Sequence, residues 1–135
     1  MAERRLMLDT TAVSEFFRGN EEVRACLENA EVYYLNPVVI GELLSGFMSG
    51  KHEKKNRESL EAFISSTRVG VVDMDEETSE RYAVILSGLR KAGIPIPTND
   101  IWIASSAMQY GLTILTTDKH YVKVPQVLTE LCGAS

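Results

Sequence analysis

Cysteine is scarce in this chain of 135 residues. Cys26 and Cys132 stand far apart and form no C-x-x-C pair, which leaves a zinc site or a redox dithiol without support; two reduced thiols are expected. Net positive charge is missing as well. The formal balance is -5, so the composition lacks the basic face or stripe that announces a nucleic-acid binder, and any such affinity must come from a local site. No apolar run approaches the ~20 residues needed to span a bilayer. The start, Met1-Ala2-Glu3-Arg4-Arg5, runs into a strand-like segment instead of a signal peptide. A cytoplasmic protein with no membrane partner is expected. Repeats and low-complexity segments are also lacking. What is present is ordinary apolar content, 44%, in a length that suits a single domain over residues 1–135 with a core of its own.

Short apolar strands alternate with helices along the chain. Arg5 to Asp9 reads as a strand, and Thr10 or Thr11 can cap a helix that Gly19-Asn20 ends. A second helix is expected over Glu21 to Ala30. Val32 to Leu35 is β-branched and aromatic, and Asn36-Pro37 then offers an N-cap and an N1 proline for a helix reaching about Ser49. Gly50 to Arg57 is polar and basic and reads as a connection, followed by a helix over Leu60 to Ser66 and a strand over Val69 to Val72. Tyr82, Ile85, Leu86 and Leu89 recur at i, i+3, i+4 and i+7, the spacing of an amphipathic core helix ending at Ala92-Gly93. Thr98 or Asn99 can cap the next helix, which Gly111 stops after Tyr110. Thr113 to Thr116 is a further strand, and a last one is expected near Val127 and Leu128. Strands buried on both faces and alternating with helices predict a parallel sheet covered by helices, with the ligand site beyond the carboxyl ends of the strands.

Four acids fall where that edge would be. Asp9 closes the first strand, Glu42 lies in the opening turns of the helix after the second, Asp100 begins its own helix, and Asp118 follows the Thr113 to Thr116 strand. Two ionised carboxylates ~4 Å apart repel by roughly 4 kcal/mol at an effective dielectric near 20, so a converging group of four needs a cation. Oxygen ligands without His or Cys select Mg²⁺ or Mn²⁺ over zinc. Each acid also has a plain structural explanation. Asp100 suits a helix N-terminus, Glu42 borders the stripe of Val39, Ile40, Leu43, Leu44 and Phe47 as a solvated glutamate would, and Asp118 suits the turn after a strand. Asp9 has the weakest such explanation, because a carboxylate ending a buried strand must find a partner. Gly41 and Gly46 lower the propensity of their helix, which makes sense where something approaches the backbone closely.

Read together, four segments resemble the PIN-domain family, and within it the VapC-type ribonuclease toxins. They are Leu8-Asp9-Thr10-Thr11-Ala12-Val13-Ser14, Asn36-Pro37-Val38-Val39-Ile40-Gly41-Glu42-Leu43, Asn99-Asp100-Ile101-Trp102-Ile103-Ala104 and Leu115-Thr116-Thr117-Asp118-Lys119-His120-Tyr121. The resemblance implies a three-layer α/β/α fold around a short parallel sheet of four or five strands. It implies an endoribonuclease that uses Mg²⁺ or Mn²⁺, attacks the phosphodiester in line with an activated water, and leaves 5′-phosphate and 3′-hydroxyl ends. It implies a homodimer, with the helices around Val39 to Phe47 and Leu60 to Ile64 as candidate contacts, and a small cognate antitoxin. Carried over residue by residue, it makes Asp9, Glu42, Asp100 and Asp118 metal ligands, directly or through water. Thr10, Thr11, Asn99 and Thr116 become their supporting polar groups, with Asn99 serving chiefly as a helix cap. Tyr121 stands where relatives commonly have phenylalanine.

Other residues invite functional readings beside plainer ones. His120 could carry a proton, but reads as a surface or packing histidine. Lys51 to Arg57 could hold RNA phosphates, but reads as a solvated loop. Trp102 and Tyr110 read as core in preference to base-stacking platforms. Three rivals share the general pattern. A receiver domain needs paired acids after the first strand, where this chain has Thr10-Thr11, although Asp73 could imitate its phosphoacceptor. A haloacid-dehalogenase-like phosphatase needs an aspartate where Thr11 stands. A PIN-like binding protein that has lost catalysis is the third, and the four retained acids argue against it.

Overall fold

The computed structural model describes residues 4–133; Met1 to Glu3, part of the starting segment read above, lie outside them. The elements in order are β1 (Arg5–Leu8), α1 (Thr10–Phe17), α2 (Glu21–Glu28), β2 (Val32–Leu35), α3 (Pro37–Met48), α4 (Glu53–Ile64), β3 (Val69–Val71), α5 (Glu76–Ala92), α6 (Thr98–Tyr110), β4 (Thr113–Thr116), a 3₁₀ turn (Lys119–Lys123) and β5 (Thr129–Leu131). The strands form one sheet in the order β3-β2-β1-β4-β5, and every pairing is parallel. The chain walks from β1 outward to β3, then crosses back to place β4 on the other side of β1. Right-handed crossovers therefore put α1 to α4 on one face and α5 and α6 on the other. The three-layer parallel architecture expected from the sequence is the one observed.

Leu6, Met7 and Leu8 of β1 and Ile114 and Leu115 of β4 are almost wholly inaccessible, as central parallel strands covered on both faces require. The reversal of direction falls between β1 and β4. At such a switch point the two flanking connections leave toward opposite faces and open a crevice beyond the strand ends. Asp9 follows β1 directly, and Asp118 follows β4.

Local chemistry sets the helix starts, not always at the residues expected. Asp9 itself, not Thr10 or Thr11, caps α1 by accepting the N–H of Ala12. Asn36 caps α3 through Val39 N–H, with Pro37 in the first turn. Its Nδ2 donates to Ser106 Oγ at 3.0 Å, tying the start of α3 to α6. Neither Thr98 nor Asn99 caps α6, which begins after Pro97 without a side-chain cap. Gly93 and Gly111 end α5 and α6 in the left-handed region, at φ 69° and 66°, where residues bearing a Cβ are strained.

Four further expectations are corrected. The basic segment is not a loop from Gly50 to Arg57: residues 53–57 are the first turns of α4, stabilised by an Arg57–Glu53 pair at i, i+4. The last strand is Thr129–Leu131, starting at the residue after Leu128 and leaving Val127 and Leu128 outside it. Cys26 and Cys132 are not separate thiols; they form a disulfide across 106 positions, joining α2 to the residue after β5. The close approach suggested at Gly41 and Gly46 is not found, since nothing lies within 4 Å of where a Cβ would stand on either.

Candidate active site

Asp9 forms the floor of the crevice and is only 2% exposed. Its Oδ1 accepts Ala12 N–H at 2.9 Å and its Oδ2 accepts the Thr116 hydroxyl at 2.6 Å. Thr11 Oγ1 donates to both carboxylate oxygens at 3.0 Å. Burial raises its pKa from 3.8 to about 6; these hydrogen bonds oppose the rise and nearby Asp100 adds to it. A carboxylate sunk this deep carries a desolvation cost that its donors only partly offset.

The Thr116 hydroxyl also accepts the N–H of Asp118 at 2.8 Å, so one side chain fixes both Asp9 and the backbone turn that presents Asp118. Asp118 then accepts His120 N–H on Oδ1 at 2.9 Å, capping the 3₁₀ turn that was not foreseen in the sequence. Asp100 rests on the fully buried Tyr121, whose hydroxyl donates to Oδ1 at 3.1 Å. The Asp100 carboxyl is pushed above its ordinary pKa, first by burial and further by Asp118, while His120 and Tyr121 pull it down. Its own burial, and then the surrounding carboxylates, in turn raise the Tyr121 phenol strongly, keeping it a neutral donor.

His120 is not the bystander the sequence suggested. Its Nδ1 lies 3.3 Å from Asp100 Oδ2 and 3.1 Å from Asp118 Oδ2. One donor atom from each of Asp100, Asp118 and His120 falls within 4.8 Å of the others. Glu42 is outside that cluster and is tied to the residues next to Asp9 and Asp100. Oε1 accepts the hydroxyl of Thr10, the neighbour of Asp9, and Oε2 accepts Asn99 Nδ2 at 3.1 Å, from the neighbour of Asp100. Asn99 therefore orients Glu42 where a capping role was expected.

The remaining candidates separate cleanly. Trp102 and Tyr110, expected in the core, are instead half-buried at its margin: Trp102 stacks on Tyr82, with ring centroids 4.0 Å apart, and Tyr110 donates its hydroxyl to the Asp73 carbonyl at 2.7 Å. Asp73 follows β3, an edge strand separated from β1 by β2, so it lies away from the Asp9 crevice and cannot serve as a receiver phosphoacceptor there.

Among the described residues no lysine or arginine forms an ion pair with Asp9, Glu42, Asp100 or Asp118. Carboxylates gathered in a half-buried crevice without a protein cation fit a divalent ion, and their oxygens are of the hard type that Mg²⁺ and Mn²⁺ take.

A parallel α/β/α sheet with acids collected at the β1–β4 switch point places this protein among small α/β domains with a metal-suited carboxyl-edge pocket. Residues 6–127 match the family model of the PIN domain, and the chain belongs to that family, in its VapC-type group. It is 32% identical over 129 residues to Ribonuclease VapC4 of Mycobacterium tuberculosis, covering 94% of this chain and 96% of that protein. It is 34% identical over 121 residues to Toxin FitB of Neisseria gonorrhoeae, covering 84% and 87%. The crystal structure of DNA-bound VapBC from Salmonella typhimurium contains a chain that superposes with TM-score 0.82 at 25% identity, covering 94% of this chain and 97% of that one.

Proposed function

We propose that this chain is a divalent-metal-dependent endoribonuclease acting as the toxin of a toxin-antitoxin pair, with residues 1–135 as one nuclease domain. The observation that carries the reading is the hinge made by Thr116, which ties Asp9 to the turn bearing Asp118 across the β1–β4 junction. The names Ribonuclease VapC4 and Toxin FitB support it at the level of activity and role.

Asp9, Asp100 and Asp118 would hold Mg²⁺ or Mn²⁺, with Glu42 contributing directly or through water. Such an ion supplies charge to offset the phosphoryl oxygens and lowers the pKa of a water. The chain's own residues do the positioning. Thr11, Thr116 and Ala12 N–H hold Asp9 in one orientation, and Tyr121 fixes Asp100. Glu42, held by Thr10 and Asn99, keeps a further lone pair on each carboxylate oxygen, free to orient an attacking water. The formal charge of -5 gives a polyanion no net long-range attraction, so a cation held among the acids would be needed to admit RNA phosphate to the crevice.

The acidic crevice suits a basic side chain from an antitoxin segment, which would block RNA by taking the place of positive charge. A homodimer and a cytoplasmic location complete the proposal, both resting on the family likeness alone. Purified protein is expected to cleave RNA with Mg²⁺ or Mn²⁺, and to lose that activity in EDTA and in Asp9→Asn. Cleavage unchanged in both would reject the metal-dependent mechanism. Growth arrest on induction, relieved by Asp9→Asn, tests the toxin role.

A further inference from the structure

Each of the two half-exposed acids has one oxygen occupied and the other turned toward the same atom. Tyr121 holds Asp100 Oδ1 and the backbone of His120 holds Asp118 Oδ1. The two free oxygens, Oδ2 in both cases, face His120 Nδ1 at 3.3 and 3.1 Å. A single ring N–H can point along its axis at one acceptor only, yet this nitrogen lies between two. Donors in neighbouring positions of an octahedron with bonds of 2.0–2.1 Å stand about 3 Å apart, close to the spacing seen here.

Resting on the metal reading above, the geometry points to His120 as a ligand of the same divalent ion, through Nδ1, which makes the site an oxygen–nitrogen set that favours Mn²⁺ over Mg²⁺. The sequence places the imidazole there by local means. Asp118 caps its own turn through the N–H two residues on, and that turn brings the side chain of the i+2 residue back beside the carboxylate. In the ligating tautomer the lone pair of Nδ1 faces the crevice and Nε2–H points outward; the side chain is 42% exposed, which leaves that proton in reach of water. Mg²⁺ holds to oxygen donors and keeps its waters, whereas imidazole bonds more strongly to first-row transition ions. One nitrogen therefore shifts the preference without altering the acids.

The test is Mn²⁺ binding to the full chain followed by EPR, with pulsed EPR reading ¹⁴N coupling on the bound ion and Mg²⁺ measured by competition. Bound Mn²⁺ is expected to show imidazole ¹⁴N modulation that His120→Gln removes and His52→Gln keeps. His120→Gln should weaken Mn²⁺ by ~10-fold or more and Mg²⁺ by less than about twofold. Circular dichroism of that variant checks that it folds, and the ¹⁴N signal of the unaltered chain needs no variant at all. Bound Mn²⁺ without ¹⁴N coupling, still lost in Asp100→Asn, would overturn the role of His120 and leave the metal site standing. Equal weakening of both ions in His120→Gln would overturn the selectivity. Absence of Mn²⁺ binding to the unaltered chain would overturn this inference and the metal reading together.

Discussion

The Thr116 hydroxyl and Asp9 Oδ2, 107 positions apart in sequence, meet at 2.6 Å on the floor of the crevice. The same hydroxyl accepts Asp118 N–H, and both Thr116 and Asp9 are almost fully buried. Thr116→Val keeps the shape and removes the hydroxyl, taking one of two side-chain donors from buried Asp9 Oδ2 and the acceptor from the half-buried Asp118 N–H. A loss of about 1–3 kcal/mol is expected in urea unfolding, together with a fall in RNA cleavage. Thr116→Ser should recover most of both. Equal behaviour of the Val and Ser variants would show that the hydroxyl does not organise the site.

The raised pKa of Asp9 makes a prediction about pH. Because the folded chain holds this proton more tightly than the unfolded chain, with a pKa of about 6 against 3.8, the contribution is most favourable below pH 4. It is lost as pH rises from 4 to 6, and by pH 7 ionisation costs the metal-free fold about 3 kcal/mol. Asp9→Asn in EDTA should therefore be more stable than the unaltered chain at pH 7, by roughly 1–3 kcal/mol, and lose that advantage at pH 4. Paired urea titrations at the two pH values measure it, and an advantage of the same size at both would count against the burial argument.

Tyr121 offers a narrower test, since its buried hydroxyl donates to Asp100. Tyr121→Phe, the residue common in relatives by the resemblance, should fold with a loss of about 1 kcal/mol. Freed from that donor, Asp100 should bind Mn²⁺ about 10-fold more weakly, the low end of the roughly 10–100-fold range of supporting-residue effects. Unchanged Mn²⁺ affinity in a calorimetric titration would remove Tyr121 from the positioning network.

The disulfide closes a loop of most of the chain, from α2 to the end of β5. Such a link restrains the unfolded chain, typically by about 2–4 kcal/mol. Thermal unfolding should shift downward in dithiothreitol, and Cys26→Ser should reproduce the shift and be insensitive to the reductant. Melting curves that overlay with and without reductant would show that the link adds no stability.

Much of the fold was legible because its signals are local. Asn36-Pro37 announces the start of α3, and Gly93 and Gly111 announce two helix ends. The stripe through Tyr82 and Leu89 gives α5 its period. What escaped depends on contacts remote in sequence. The first turns of α4 carry charge with no apolar repeat, so Lys54 and Lys55 look like loop residues until packing of Leu60 and Phe63 recruits the helix. Leu128 attracts the last strand by its hydrophobicity but is 75% exposed; pairing with β4 selects Thr129–Leu131 instead, since strand preference follows neighbours more than composition. The Cys26–Cys132 bond needs two segments 106 positions apart, which no spacing argument finds.

The site divides the same way. The acids could be picked out by their positions at strand ends and helix starts, but Thr11 and Asn99 acquire their partners only through the assembled edge. The Asp118 cap places the backbone of His120, but the direction of its ring is decided only once Asp100 stands beside it in the assembled edge.

Because β1 lies in the middle of the sheet while its neighbour β4 is made last but one, the crevice cannot assemble during most of translation. A ribosome that has released only the first hundred residues has exposed Asp9 and Glu42 without Thr116, Asp118 or His120. On the function proposed above, a chain stalled before its final fifth has emerged lacks the completed crevice and is expected to leave RNA uncut.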